Sequence, residues 1–250
     1  MKQLPLNLLV FTSAGGHFKH FDVYKTSIRH LESSLGSLDV FQNRFAHIKV
    51  RHTIEELNRV DEMKAFFHSK GINTIVTVGD WERGMSHQNE YLKDIARMAN
   101  IREMHLAPYT LWFEDDSPIF VKKGMLYPYL ASAITNLETD FESLNVRFIR
   151  EGVQQKTTPY TDGFVGVETF DFQPNISRTR DLMVASKIIF ANWNHFKNIQ
   201  CEMAFRLAMD FLSNSPRRFL GFNSEDVTSH HIGTPEYPQY VERFQNEQLI

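Results

Sequence analysis

The sequence predicts an α/β fold, with a mostly parallel central sheet flanked by helices. Three observations carry that expectation. Strand-like and helix-like stretches alternate over the first half of the chain. The strand-like stretches are apolar runs rich in β-branched and aromatic residues, the composition of strands buried on both faces. The chain has 250 residues, 42% hydrophobic and 23% charged, which is enough apolar material for one large core.

The elements follow in order. Leu6 to Thr12 reads as a first buried strand, and the loop Ser13-Ala14-Gly15-Gly16-His17 leaves it. Asp22 to Leu35 has helical spacing, with Val23, Ile28, Leu31 and Leu35 apolar and Gly36 as a stop. Phe45 to Val50 is a second strand. Ile54 to Ser69 is a helix whose Ile54, Leu57, Val60, Met63 and Phe67 share one face, with Gly71 beyond its end. Ile72 to Val78 is a β-branched strand, and Gly79 to Gly84 is its exit loop. Ser86 to Met98 is helical with Ser86 as its N-cap. Tyr109 to Phe113 is the next strand.

The second half is less regular. Leu126 to Leu144 reads as a helix, Val146 to Arg150 and Phe164 to Phe172 as strands, and Thr179 to Phe190 and Phe196 to Leu212 as helices. Ser213 to Pro216 breaks the chain, and the tail from Gly233 has little periodicity. There is no internal repeat and no Ser/Gly linker, so one domain over residues 1–250 is expected.

A formal net charge of −3 gives no electrostatic footprint for non-specific nucleic-acid binding. Cys201 is the single cysteine, which excludes an intrachain disulfide and fits a cytoplasmic setting. The first residues lack a small-residue cleavage site, and no stretch approaches the length of a membrane span.

Four features bear chemistry. Glu114-Asp115-Asp116-Ser117 sits at the end of an apolar strand. Three adjacent carboxylates repel one another unless solvated, protonated or bound to a hard cation. An acidic turn is the ordinary alternative. In open α/β sheets ligands bind outside the carboxyl ends of strands, and Asp80 also follows a buried strand. The second feature is Arg83-Gly84 opening a helix that carries Asn89; free N–H groups there suit a phosphate, unless Arg83 is simply solvated. The third is His230-His231 before Ile232-Gly233. One of the histidines would complete an oxygen–nitrogen site with Asp116 suited to manganese or magnesium; two surface histidines are the plain alternative. The fourth is Glu202 on a helix whose Met203, Leu207 and Phe211 form an apolar stripe. Off that stripe, Glu202 is free to face a cleft as a general base, or else to pair with Arg206 on the surface.

In this order, these pieces resemble the GT-A-type nucleotide-sugar glycosyltransferases, family 2 in particular, over residues 6 to 233. The resemblance implies a GT-A-like, Rossmann-like single domain. Residues 1–117 would form its nucleotide-sugar-binding half; residues 118–250 would form the acceptor side and a C-terminal metal-binding segment. It implies that Thr12 and Ser13 lie near base and ribose, that Asp80 contacts the base, and that Arg83, Gly84 and Asn89 line the diphosphate and sugar. Glu114, Asp115 and Asp116 form the DxD-like element, with Asp116 the direct metal ligand and His231 the C-terminal one. Glu202 falls at the position of the acceptor-side base, and Glu225-Asp226 is a literal Glu-Asp rival. The implied cofactor is Mn2+ or Mg2+. The implied donor is a nucleoside-diphosphate sugar, a UDP-sugar first among them, and the reaction inverts the anomeric carbon.

The acceptor would be a glycan or a hydroxymethylated base of viral DNA. For the latter, Lys122, Lys123, Arg147, Arg150, Arg178, Arg180, Arg217 and Arg218 are candidates for a phosphate-contacting face. A nucleotidyltransferase would use the same carboxylates but needs a basic triphosphate loop after the first strand, where this chain has no Gly-Lys-Ser/Thr. A non-catalytic nucleotide-sugar or carbohydrate binding module is the third reading.

Overall fold

The computed structural model describes residues 2–15, 22–80, 85–149, 156–161, 163–168, 174–211, 218–224 and 226–229. In chain order the elements begin β1 (Leu4–Ser13), α1 (Val23–Leu35), β2 (Phe41–Val50), α2 (Ile54–Ser69), β3 (Asn73–Val78), α3 (Met85–Ala99) and β4 (Tyr109–Glu114). Then come β5 (Ile119–Val121), α4 (Leu126–Thr139), β6 (Ser143–Arg147), β7 (Thr157–Thr161), β8 (Phe164–Val167) and β9 (Asn175–Arg178). The last are α5 (Thr179–Ala191), α6 (Trp193–Phe196), α7 (Cys201–Asp210), β10 (Arg218–Phe222) and β11 (Val227–Ser229).

Nine strands form one sheet in the order β3-β2-β1-β4-β9-β6-β10-β8-β7. The pairings make β8 and β9 run against the other seven. The expected α/β class with a helix-flanked sheet therefore holds. The carboxyl ends of β1, β2, β3, β4, β6 and β10 lie along one edge.

Helices α1, α2 and α4 cover one face. There Leu6, Leu8 and Val10 of β1, Ala46 and Ile48 of β2, and Leu111 and Phe113 of β4 pack with Ile28, Leu31, Met63, Phe67 and Leu130. Helices α3, α5 and α7 cover the other face, where Leu9, Phe11 and Trp112 meet Leu92, Ile95, Leu182, Ala204 and Phe205.

Local signals explain the regular half. Gly36 ends α1 in the left-handed conformation at φ 79°. Thr53 caps α2 by accepting the Glu56 N–H at 3.3 Å, and Glu55 and Glu56 place negative charge on its first turn.

Several boundaries differ from expectation. The second strand starts at Phe41, and α3 already includes Ser86, which is therefore inside the helix and not its cap. Of the stripe expected on α2, Val60, Met63 and Phe67 are buried, whereas Ile54 is 80% exposed and Leu57 lies at the surface.

The helix expected to run to Leu144 ends at Thr139. The Asp140 carboxylate accepts the Glu142 N–H at 3.0 Å, and Arg178 donates to the Asp140 and Ser143 carbonyls at 2.8 and 2.7 Å. These bonds satisfy a turn there and release Leu144 into β6. The helix expected over Phe196 to Leu212 is split into α6 and α7 by Asn198, at φ 73°. β5, β7, β9, β10 and β11 were not expected as separate strands.

Candidate functional site

Helices α1 and α2 lie on one face and α3 on the other, so the winding reverses between β1 and β4. Such a reversal opens a crevice beyond the strand ends, the usual ligand site of open α/β sheets. Here β4 delivers its three carboxylates into that crevice. Strand alternation sends Glu114 and Asp115 to opposite faces.

Asp115 turns toward α1. Its N–H donates to the Phe11 carbonyl at 3.1 Å, and its carboxylate accepts the Thr12 hydroxyl at 2.6 Å. Its carbonyl accepts the Ser27 hydroxyl at 2.6 Å. Burial first, then the charge of Asp116, pushes this carboxyl up to about 7, against the stabilising Thr12 hydrogen bond. Asp115 thus ties β4 to β1. Asp116 is half-buried at the start of the next turn, where Ser117 donates its hydroxyl to it at 3.3 Å. Glu114 turns toward α3 and accepts the Tyr91 hydroxyl.

The neighbouring strand ends complete the edge. Ser13 is exposed and accepts the Gly15 N–H at 3.3 Å. A Cβ on Gly15 would sit 2.1 Å from the Glu56 carboxylate, so a larger residue there would displace Glu56. Glu56 is held by the Arg51 N–H at 2.7 Å and its side chain at 2.6 Å. Arg59 donates to the Ala14 carbonyl at 3.2 Å and pairs with Asp22 at 3.2 Å. Asp80 is exposed beyond β3, with His52 Nδ1 3.0 Å from its carboxylate. Thr12, Ser13, Asp80, Glu114, Asp115 and Asp116 therefore share one sheet edge.

The N-terminal half of α3 docks on the start of α7. Gln88 accepts the Cys201 N–H at 3.0 Å and so satisfies one open donor of α7. Asn89 accepts the Asn198 N–H at 3.2 Å, a structural use of a side chain the resemblance assigns to donor binding. Glu202 is half-buried and accepts from Gln200 at 2.7 Å. Burial, then the charges of Glu202 and Glu114, push the Cys201 thiol up, so both carboxylates bear on the same buried spot.

The apolar stripe expected on α7 is its outer one. Met203, Leu207 and Phe211 are 46%, 38% and 75% exposed, while Cys201, Ala204, Phe205, Ala208 and Met209 are buried. Gln88 and Tyr91 were missed by sequence reasoning. Their sequence signal was only their place in the helix that carries Asn89.

Asp226 lies at the end of the β5–β11 pair away from the Asp116 turn. β11 pairs antiparallel with β5, placing Val227 opposite Val121 and Ser229 opposite Ile119. Val227 is buried in the α1/α4 core, and Asp226 is exposed beside it. Arg83, Gly84, Glu225 and His231 lie outside the described residues. Among the described residues no group of three His, Cys, Asp or Glu side chains could hold a metal ion.

Of the candidate basic face, Lys122, Lys123 and Arg180 are exposed, and three others make internal contacts or ion pairs. Arg147 is buried, Arg178 is occupied by backbone carbonyls, and Arg218 pairs with Glu142 at 2.6 Å. Arg150 and Arg217 fall outside the described residues. A cavity of about 300 Å3 opens at the opposite end of β4, lined by His105, Tyr109, Arg178 and Arg180, away from the carboxylates. No described helix is long and apolar enough to cross a membrane.

No protein-family model matches this chain, and a search of curated proteins finds no match. Solved structures do match. A nucleoside-diphosphate-sugar pyrophosphorylase from Vibrio cholerae RC9 is 10% identical with a TM-score of 0.52, covering 95% of this chain and 99% of that one. A putative glucose-1-phosphate thymidylyltransferase from Bacillus anthracis, in complex with a sucrose, is 9% identical with a TM-score of 0.52, covering 95% and 94%. The mixed α/β architecture of this chain, a large central sheet between helices, is the one those two enzymes have.

Proposed function

We propose that this chain is a metal-dependent glycosyltransferase that moves a sugar from a nucleoside diphosphate to an acceptor hydroxyl, with inversion. One observation carries the reading. Asp115 is consumed in joining β4 to β1, which leaves Glu114 and Asp116 flanking it at the winding reversal. This is the spacing of a DxD-like element with a structural middle residue.

The donor set suits a hard divalent ion. Magnesium and manganese take oxygen ligands, and magnesium commonly uses one or two carboxylates with substrate phosphates in place of an all-protein cage. Asp116 and the substrate diphosphate would hold Mn2+ or Mg2+. His231 would add a nitrogen; it follows Ser229 by two residues, and Ser229 pairs beside the Asp116 turn. When bound, the ion supplies Lewis-acid neutralisation of the departing diphosphate.

Thr12, Ser13 and Asp80 would receive the nucleoside, and Glu114 the ribose or sugar. Arg83 and Gly84 would meet the diphosphate at the start of α3, with Asn89 one turn further on. A carboxylate would take the acceptor's proton. Glu202, Glu225 and Asp226 are the candidates for that role. The acceptor would be a glycan or a hydroxymethylated base of viral DNA. The setting is cytoplasmic.

A second reading is a nucleotidyltransferase. Arg59 reaches the loop after β1 at the Ala14 carbonyl, though paired with Asp22. A non-catalytic nucleotide-sugar binding module is the third.

Incubation with a panel of nucleotide sugars and Mn2+ separates these readings. Released nucleoside diphosphate is expected; released pyrophosphate selects the second and binding alone the third. Asp116→Ala should abolish turnover while the circular dichroism spectrum and the thermal midpoint stay near wild type. Undiminished, metal-dependent turnover in that variant would remove Asp116 from the site.

A further inference from the structure

We propose that Tyr91 is a positioning residue that fixes the Glu114 carboxylate for the donor. This rests on the reading of Glu114 as a donor-binding group. Tyr91 stands on α3, and its hydroxyl donates to Glu114 Oε1. Its ring is locked from two sides. It packs edge-on against Phe11, with centroids 5.5 Å apart, and edge-on against Trp112 at 6.5 Å. Phe11 and Trp112 are themselves stacked at 4.5 Å, across the β1–β4 pairing that forms the crevice. The hydroxyl therefore stands on a stack that spans both strands of the winding reversal.

A glutamate has one more rotatable bond than an aspartate. At the end of a strand its carboxylate would sample several positions, each costing order when a ligand binds. A hydrogen bond to a charged acceptor, from a ring packed on the Phe11–Trp112 stack, reduces that freedom before the ligand arrives. An aspartate at this place would need less restraint. Tyr91 makes the longer side chain serviceable.

Next to it on α3, Gln88 and Asn89 hold Cys201 and Asn198. One helical segment thus sets both the donor carboxylate and the start of the helix bearing Glu202.

The test is a double-mutant cycle on the full chain, with UDP and Mn2+ as the titrated probe in calorimetry and wild type, Tyr91→Phe, Glu114→Ala and the double variant compared. Tyr91→Phe keeps the ring and its packing, so its thermal midpoint should stay close to wild type. UDP–Mn2+ affinity should fall about tenfold, the order of one charge-assisted hydrogen bond. In the Glu114→Ala background, where no side-chain acceptor remains, the same change should add nothing, because Tyr91 acts through that carboxylate. A purely structural role would give additive losses and a lower midpoint. Unchanged affinity in Tyr91→Phe, or additive losses, overturns the assignment of Tyr91 while leaving the site intact. No binding of UDP–Mn2+ by wild type overturns the reading of the site, and the assignment of Tyr91 falls with it.

Discussion

On the face covered by α1, α2 and α4, the strands present Leu6, Leu8, Val10, Ala46, Ile48, Leu111, Phe113, Val146 and Ile176. On the face covered by α3, α5 and α7, alternate positions of the same strands present Asn7, His47, Lys49, Thr110, Asn145, Arg147, Asn175 and Ser177, all buried. The first face is held by apolar contact alone until Thr12 at its end. The second carries hydrogen bonds through its core: Asn7 to the Met104 carbonyl at 2.8 Å, Thr110 to Thr179 at 2.9 Å, and Ser177 to Asn175 at 2.9 Å.

It also carries charge. Asp94 of α3 accepts from Arg97 at 2.8 Å and lies 3.7 Å from the Lys49 ammonium and 3.6 Å from His47. Apolar packing tolerates many equivalent arrangements, whereas a buried polar network accepts few. The difference assigns two tasks. Apolar packing holds both faces, Leu9, Phe11 and Trp112 on the second included, and the polar network of that second face fixes how α3 sits on the sheet. α3 is the helix that carries Tyr91, Gln88 and Asn89.

The comparison breaks most readily at Asp94. Asp94→Ala leaves Lys49 buried without its nearby carboxylate, and removing one member of a buried pair costs about 3–5 kcal/mol. Urea unfolding should show that loss. The double variant Lys49→Met/Asp94→Leu should recover most of it, since a well-packed apolar pair commonly matches or exceeds a buried ionic one. Such a protein should remain stable and yet bind UDP–Mn2+ less well if the network serves α3's placement. Stability as poor as in Asp94→Ala would instead make the network part of the fold's foundation.

The apolar face was the legible one. Its strands alternate with helices, and its Gly36 stop and β-branched runs follow local rules that need no partner. The polar face resisted reading because its residues look like surface in a linear sequence. Asn145 and Arg147 read as exposed until β9 and β10 flank them. On α7, Met203, Leu207 and Phe211 made as regular a stripe as the buried Ala204, Phe205 and Ala208, and only the neighbouring helices decide between them. Of the site, Glu114 to Asp116 and Asp80 were visible as acids at strand ends. That Asp115 is the one consumed by Thr12 was not, because strand alternation fixes a side chain's face only once the strand's end is known.

His47 sharpens the comparison through pH. Burial first, then the positive charges of Lys49 and Arg97, hold its imidazole down to about 3. In the unfolded chain it titrates near its ordinary value of about 6.5. Between those values the unfolded state binds a proton that the folded state refuses, so this contribution is complete above about pH 6.5 and is lost as pH falls toward 3. His47→Gln keeps a polar group for Thr77 but cannot titrate. The stability difference between wild type and this variant, measured by urea unfolding across that window, should shift in favour of the variant as pH falls. A difference that stays constant with pH would mean that His47 takes up its proton as readily in the folded protein as in the unfolded chain.

The smallest effect is expected where the polar face's helices turn outward. Leu207 lies on the exposed stripe of α7, opposite the residues that touch the sheet side. Leu207→Lys keeps a good helix former and removes little buried area, so the change in unfolding free energy should stay within about 0.5 kcal/mol. The sequence pattern alone ranks Leu207 as core and would make this substitution severe. A loss of about 2 kcal/mol or more would mean that this stripe is covered in the folded protein, and that α7 buries both of its faces.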